Sequence, residues 1–78
     1  MKDVTVYLND FNSVENFANS LSEFESDFDV LSGRYIVNGK SIIGILSLGF
    51  ENPFTLRILE DRDVEPVLEA IKDYLVER

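Results

Sequence analysis

The sequence contains no histidine, no cysteine and no tryptophan. Without histidine there is no imidazole general base, no Ser-His-Asp or Cys-His pair and no phosphohistidine. Without cysteine there are no disulfides, no thiolate nucleophile and no zinc-finger ligands, so nothing marks an oxidising compartment. Basic residues are also scarce: seven Lys and Arg stand against fifteen Asp and Glu, a net charge of −8. Direct nucleic-acid binding, which rests on a basic surface, is not expected, and neither is an anionic membrane surface. The longest apolar stretch, Ser41 to Phe50, is interrupted by Gly44, Ser47 and Gly49 and is well short of the roughly 20 residues of a spanning helix. Met1-Lys2-Asp3-Val4 begins no apolar leader. A cytoplasmic protein is the expectation, with no cofactor, no metal and no catalytic residue.

What is present fits one small domain over residues 1–78. Hydrophobic residues make up 45% of the chain, and a domain of this size buries about 60–65% of its unfolded surface. No repeat, linker or low-complexity run divides it.

The hydrophobic period changes along the chain in an informative order. Val4, Val6 and Leu8 alternate with Thr5 and Tyr7, the mark of a strand with one buried face. Val14, Phe17, Ala18 and Leu21 then recur at helical spacing, so a helix is expected at about 13–23 with Asn12 as N-cap and Glu15 completing a capping box. Phe28 and Val30 point opposite to Asp27, Asp29 and Leu31. Ser32-Gly33 supplies a turn into Arg34-Tyr35-Ile36-Val37, which together predict a hairpin. Asn38-Gly39 marks a second turn. The following run, Ile42 to Leu48, suits either a short helix or a buried strand by period, and Ser41 before it with Gly49 after it favours a helix. After Pro53, Phe54, Leu56 and Ile58 alternate with Thr55 and Arg57. A last helix is expected through Val64, Val67, Leu68, Ile71 and Leu75, with Asp63 as N-cap and Pro66 in the first turn.

The expected order is β-α-β-β-α-β-α, an α+β domain with a four-stranded antiparallel sheet and three helices on one face. Pattern alone leaves two arrangements open, a ferredoxin-like split βαβ with an added helix and an open-faced β-sandwich.

Lys40-Ser41-Ile42-Ile43-Gly44-Ile45-Leu46-Ser47-Leu48-Gly49 resembles the regulatory-serine segment of the HPr family, the small phosphocarriers of the bacterial phosphotransferase system. The family pattern there is a turn, Lys-Ser, an apolar pair, Gly, an apolar pair and Ser-Leu-Gly. Element order and length are similar as well, and the resemblance implies the HPr-like open-faced β-sandwich. The departure is equally clear. The family's Gly-x-His-x-Arg-Pro segment between the first strand and the first helix is replaced by Asn9-Asp10-Phe11-Asn12-Ser13, shorter and without histidine, arginine or proline. Histidine phosphotransfer is therefore not implied. This degenerate phosphoacceptor loop, Asp10, Phe11, Asn12 and Ser13, leaves as an alternative a carrier that accepts phosphate on Asp10.

In part of the family the serine matching Ser41 is phosphorylated by an ATP-dependent kinase, and the product binds a transcription regulator. The catabolite-repression HPr-like branch keeps that serine and lacks the histidine, as this sequence does. The resemblance thus implies a non-catalytic regulatory or adaptor protein, with Ser41 as the regulatory phosphorylation site and a protein partner, kinase or transcription regulator, bound through the second helix. Lys40, Ile42, Ile43, Leu46 and Ser47 would line that contact. Five large aliphatics between residues 42 and 48 cannot all face inward from one short helix, so one or two should be exposed.

Plainer readings stand beside these. Ser41 is also an ordinary helix cap, and the helix-two surface would equally serve a constitutive binding module unrelated to sugar transport, or self-association as a weak dimer of an otherwise monomeric chain. Glu23, Glu25, Asp27 and Asp29 lack the glycine and terminal glutamate of a calcium loop and read as a solvated rim. Asp61, Asp63 and Glu65 suit the positive end of the last helix.

Overall fold

A computed structural model describes residues 1–49 and 52–76. Phe50, the end of the longest apolar stretch, lies outside them. The elements in chain order are β1 (Lys2–Val6), α1 (Phe11–Ser22), β2 (Phe28–Ser32), β3 (Tyr35–Asn38), α2 (Ile42–Leu48), β4 (Phe54–Ile58) and α3 (Val64–Ala70), with short 3-10 turns at Asp61–Asp63 and Lys72–Tyr74.

The four strands form one antiparallel sheet in the order β1-β4-β2-β3. In both arrangements left open by pattern, β1 and β2 run parallel with another strand between them. In the ferredoxin-like arrangement that strand is β3; here it is β4, and β3 moves to the edge. This is the open-faced sandwich.

Register explains the faces. Val4, Leu56, Val30 and Val37 are mutual neighbours across the sheet, as are Thr5, Thr55, Leu31 and Ile36 in the adjacent row. Because side chains alternate, the first row lies under the helices and the second on the open face. Phe28, Phe54 and Ile58 join the covered side, where they meet Val14, Phe17, Ala18 and Leu21 of α1, Ile45 of α2 and Val67 of α3. Phe17 sits at the centre, edge-on to Phe54 at 5.8 Å and to Tyr74 at 6.1 Å.

Several local expectations are corrected. β1 ends at Val6, although Leu8 beyond it is fully buried. The cap of α1 is Asp10, not Asn12: the extended Asp10 backbone turns its carboxylate onto the Ser13 N–H at 2.8 Å, so the helix starts two residues earlier and the Glu15 capping box does not form. A carboxylate accepting at this position satisfies one of the free N–H groups of the first turn, and either Asp10 or Asn12 has the chemistry to do so. Asp63 makes no cap hydrogen bond; its carboxylate instead accepts from the hydroxyl of buried Ser26.

The final helix is also shorter than its period suggests. It ends at Ala70, and Leu75 leaves the helical path to bridge antiparallel to Val6. The Tyr7 N–H donates to the Tyr74 carbonyl and the Val76 N–H to the Thr5 carbonyl, each at 2.9 Å. The outer edge of β1 is thereby covered by the chain's own C-terminal segment. No helix among the described residues is long and apolar enough to cross a membrane.

Candidate functional site

The turn that leads into α2 is held by its own backbone and by neighbouring elements. The Gly39 N–H donates to the Phe28 carbonyl at 2.8 Å, the Ser41 N–H to the Asn38 carbonyl at 3.1 Å, and the Lys40 N–H to Asn38 Oδ1 at 2.8 Å. Ser41 is then extended and caps α2, its hydroxyl accepting the Gly44 N–H at 3.0 Å. Gly49, with φ +82°, ends the helix in a conformation that favours glycine.

Gly44 fixes how closely α2 lies on the sheet. A Cβ there would sit 3.2 Å from Ser41 Oγ and 3.2 Å from Val37 Cβ. The absent side chain lets the cap and the β3 backbone close on one another, and Ile45 is driven into the core at 1% exposure.

The remaining α2 side chains divide as one apolar stripe requires. Ile43 stands 73% exposed, Ser47 is exposed, and Ile42, Leu46 and Leu48 are half-buried against the core. The expected exposed patch is thus centred on Ile43, with Ile42 and Leu46 contributing only part of their surface. Lys40 does not reach toward Ser41. Its ammonium donates to the Phe24 carbonyl at 2.6 Å and lies 5.7 Å from the Phe28 ring centroid.

The Asn9–Ser13 turn is a second, self-contained arrangement. Asp10 accepts the Ser13 N–H, and the Ser13 hydroxyl donates to Asn9 Oδ1 at 3.0 Å. The Ser13 backbone N–H holds the Asp10 carboxyl below the usual carboxylate range. Phe11 and Asn12 are exposed. The fold does not bring this turn to Ser41: Asp10 caps the N-terminal end of α1, whereas Gly39 packs near Leu21 and Lys40 holds Phe24 at its C-terminal end. A helix of this length separates its ends by about 18 Å.

Other candidates resolve simply. Among the described residues no group of three or more acidic side chains is placed to hold a metal ion. Glu23, Glu25 and Asp27 are exposed on the rim expected from sequence, whereas Asp29, expected there with them, is half-buried in β2 opposite Arg57. On the open face Arg57 and Asp3, directly paired in register, make a two-pronged ion pair at 2.8 and 2.9 Å, which holds the Asp3 carboxyl below its ordinary value.

Sequence reasoning missed one exposed apolar region. Tyr35 and Ile36 of β3 are 62% and 61% exposed. A groove lined by Ser32, Tyr35, Val37, Ser47 and Leu48 runs between the β2–β3 hairpin and the end of α2. The signal was the alternation itself, which left Ile36 on the open face beside Leu31.

A family model described as the PTS HPr component phosphorylation site matches residues 12–77. Solved structures similar to this chain include the following three. HPr-C-His from Thermoanaerobacter tengcongensis is 32% identical over 94% of this chain and 89% of that chain, with a TM-score of 0.79. A phosphocarrier protein HPr from Bacillus anthracis str. Ames is 28% identical over 96% and 94%, with a TM-score of 0.70. A histidine-containing phosphocarrier protein of Mycoplasma, 18% identical over 92% and 89% with a TM-score of 0.75, shares the fold. No curated protein sequence matches the chain.

Proposed function

The chain belongs to the HPr family of the phosphotransferase system, and we propose that within it this protein is a non-catalytic regulator or adaptor that docks a protein partner through α2 and carries no phosphoryl group on histidine. The observation that carries this reading is the junction of β1 and α1. The chain has no histidine, and the place of the family's acceptor holds a carboxylate already committed to capping α1. The segment Asn9–Ser13 contains no cation to neutralise an incoming phosphoryl group.

The α2 side favours docking. Ile43 is a large aliphatic at the surface, flanked by exposed Ser47 and half-buried Leu46, Ile42 and Lys40. Phosphorylation at Ser41 would gate it. The hydroxyl lies at the cap of α2 against the Gly44 N–H, where phosphate oxygens would accept the same donor. With Lys40 held by Phe24, the kinase or transcription regulator that reads the phosphate must supply its own basic groups.

The test is an intact-mass measurement after incubation with ATP and a bifunctional HPr kinase, on wild type and on Ser41→Ala. One added phosphate on the wild type alone is the expected result. No phosphate on either removes the gate and reduces Ser41 to a helix cap. A hydroxylamine-labile phosphate acquired from phosphoenolpyruvate and enzyme I, and lost in Asp10→Asn, would replace the adaptor reading with a carrier working through Asp10.

A further inference from the structure

The charges of this acidic chain are unevenly placed. All fifteen carboxylate side chains fall before Val30 or after Phe50, and the stretch between carries only Arg34 and Lys40. The fold gathers that stretch on one side of the molecule, with β3 last in the sheet order and α2 packed along it. Tyr35, Ile36 and Ile43 are exposed there.

The two edges of the sheet differ as well. The outer edge of β1 is covered by Tyr74, Leu75 and Val76. Among the described residues β3 pairs with β2 alone. Its residues Tyr35, Ile36, Val37 and Asn38 include no charge and no proline, two of the devices by which natural edges repel another strand, although at four residues it is short, which is a third.

We propose that β3 is a homodimer interface, in which the β3 of a second copy adds antiparallel across a two-fold axis at Ile36. Charge selects this occupant. Two molecules of net charge −8 approach closely only where neither presents a carboxylate, and the β3 edge is such a surface. The strand is also complementary to itself. In this register Ile36 faces its own copy, Tyr35 faces Val37 and Arg34 faces Asn38, so Arg34 does not meet its own copy, and Lys40, in the turn beyond β3, is held by the Phe24 carbonyl.

Both faces of the joined sheet gain continuity. On the open face the row Thr5, Thr55, Leu31 and Ile36 runs on into the second copy's Ile36 and Leu31. On the helix side the second copy's Tyr35 lies beside Val37, at the groove formed with Ser47 and Leu48. Because the β1 edge is covered, pairing closes at two copies instead of propagating. The four residues of β3 are far fewer than the roughly 20–30 residues a side of stable complexes, so dissociation is expected on the order of 100 μM.

Sedimentation of the full chain from about 10 μM to about 1 mM, at low salt and at about 0.5 M salt to screen the net charge, tests this. The expected result is a mass that rises from monomer to dimer and no further, that Ile36→Lys holds at monomer, and that the neutral Ile43→Ser leaves unchanged. The last variant separates this interface from the α2 docking surface. A wild type monomeric throughout, a dimer that survives Ile36→Lys or is lost in Ile43→Ser, or growth beyond the dimer would each overturn the proposal. Should Ile36→Lys fail to fold, amide exchange of the wild type decides. Protection of residues 35–38 that rises with concentration supports the pairing, and protection that rises elsewhere refutes it.

Discussion

The Lys40 ammonium donates to the Phe24 carbonyl at 2.6 Å and so ties the turn before α2 to the end of α1. A lysine adjacent to Ser41 in sequence is thereby a structural clasp. Lys40→Met keeps the aliphatic stem but leaves that part-buried carbonyl without its donor. It is expected to lower the unfolding free energy by about 1–2 kcal/mol in urea titration, while the mass increase at Ser41 under the kinase assay stays as in wild type.

Gly44→Ala tests the close approach of α2 to β3. Alanine in a helix is favoured over glycine by about 1 kcal/mol, yet the new Cβ would stand 3.2 Å from Val37 Cβ and from Ser41 Oγ. Val37 Cβ is one bond from the backbone and yields little, and Ser41 Oγ could turn away only by giving up its cap hydrogen bond to Gly44; overpacking costs about 1–3 kcal/mol. A net loss of about 1 kcal/mol is expected by urea unfolding. An increase in stability would show that α2 rides up without penalty.

Ile43 and Ile45 should respond oppositely to substitution. Ile45→Ala empties a fully covered position and is expected to cost about 2–5 kcal/mol. Ile43→Asp, at a site 73% exposed, should leave the far-UV circular dichroism and the urea midpoint nearly unchanged. A collapse of fold in Ile43→Asp would place that side chain in the core and remove it from the docking surface.

Acid sensitivity should depend on Asp3 and Asp10. Both carboxyls are held below their ordinary values, Asp3 by hydrogen bonding to Arg57 and Asp10 by the Ser13 backbone N–H. A carboxyl lowered in the folded state stabilises it fully above the unfolded value of about 3.9, and that contribution is lost as pH falls through the folded value. Asp3→Asn with Asp10→Asn should therefore lower the urea midpoint at neutral pH, and the gap from wild type should close at about pH 2. A gap that persists at that pH would assign the loss to packing and not to ionisation.

Much of the fold was legible because one-sided burial writes its period into the chain. The alternation of Phe54, Leu56 and Ile58 and the spacing of Val14, Phe17, Ala18 and Leu21 located β4 and α1, and Ser41 with Gly49 bounded α2. Failures fell at element ends, where two residues of like chemistry compete. Asp10 and Asn12 are both good caps, and Leu75 continues the spacing of Ile71 although the chain has already left the helix. The resemblance implied Ile42, Ile43 and Leu46 as one docking surface without ranking them, and of these only Ile43 is exposed, the other two being half-buried against the core.

By itself the sequence determined the exclusions and the layers: no histidine or cysteine chemistry, an acidic surface, and a sheet with one greasy face under helices. These follow from composition and from periods of two and 3.6, which are local properties. Only the tertiary structure decided that β4, not β3, enters between β1 and β2, that Lys40 turns from Ser41 to Phe24, and that one sheet edge is sealed by Leu75 while Tyr35 and Ile36 stand open at the other. Each depends on which distant segments meet, and the same alternating strand satisfies its hydrophobic face in any lateral order. Strand order and edge exposure are therefore settled by packing among all the elements together, not by the pattern within any one of them.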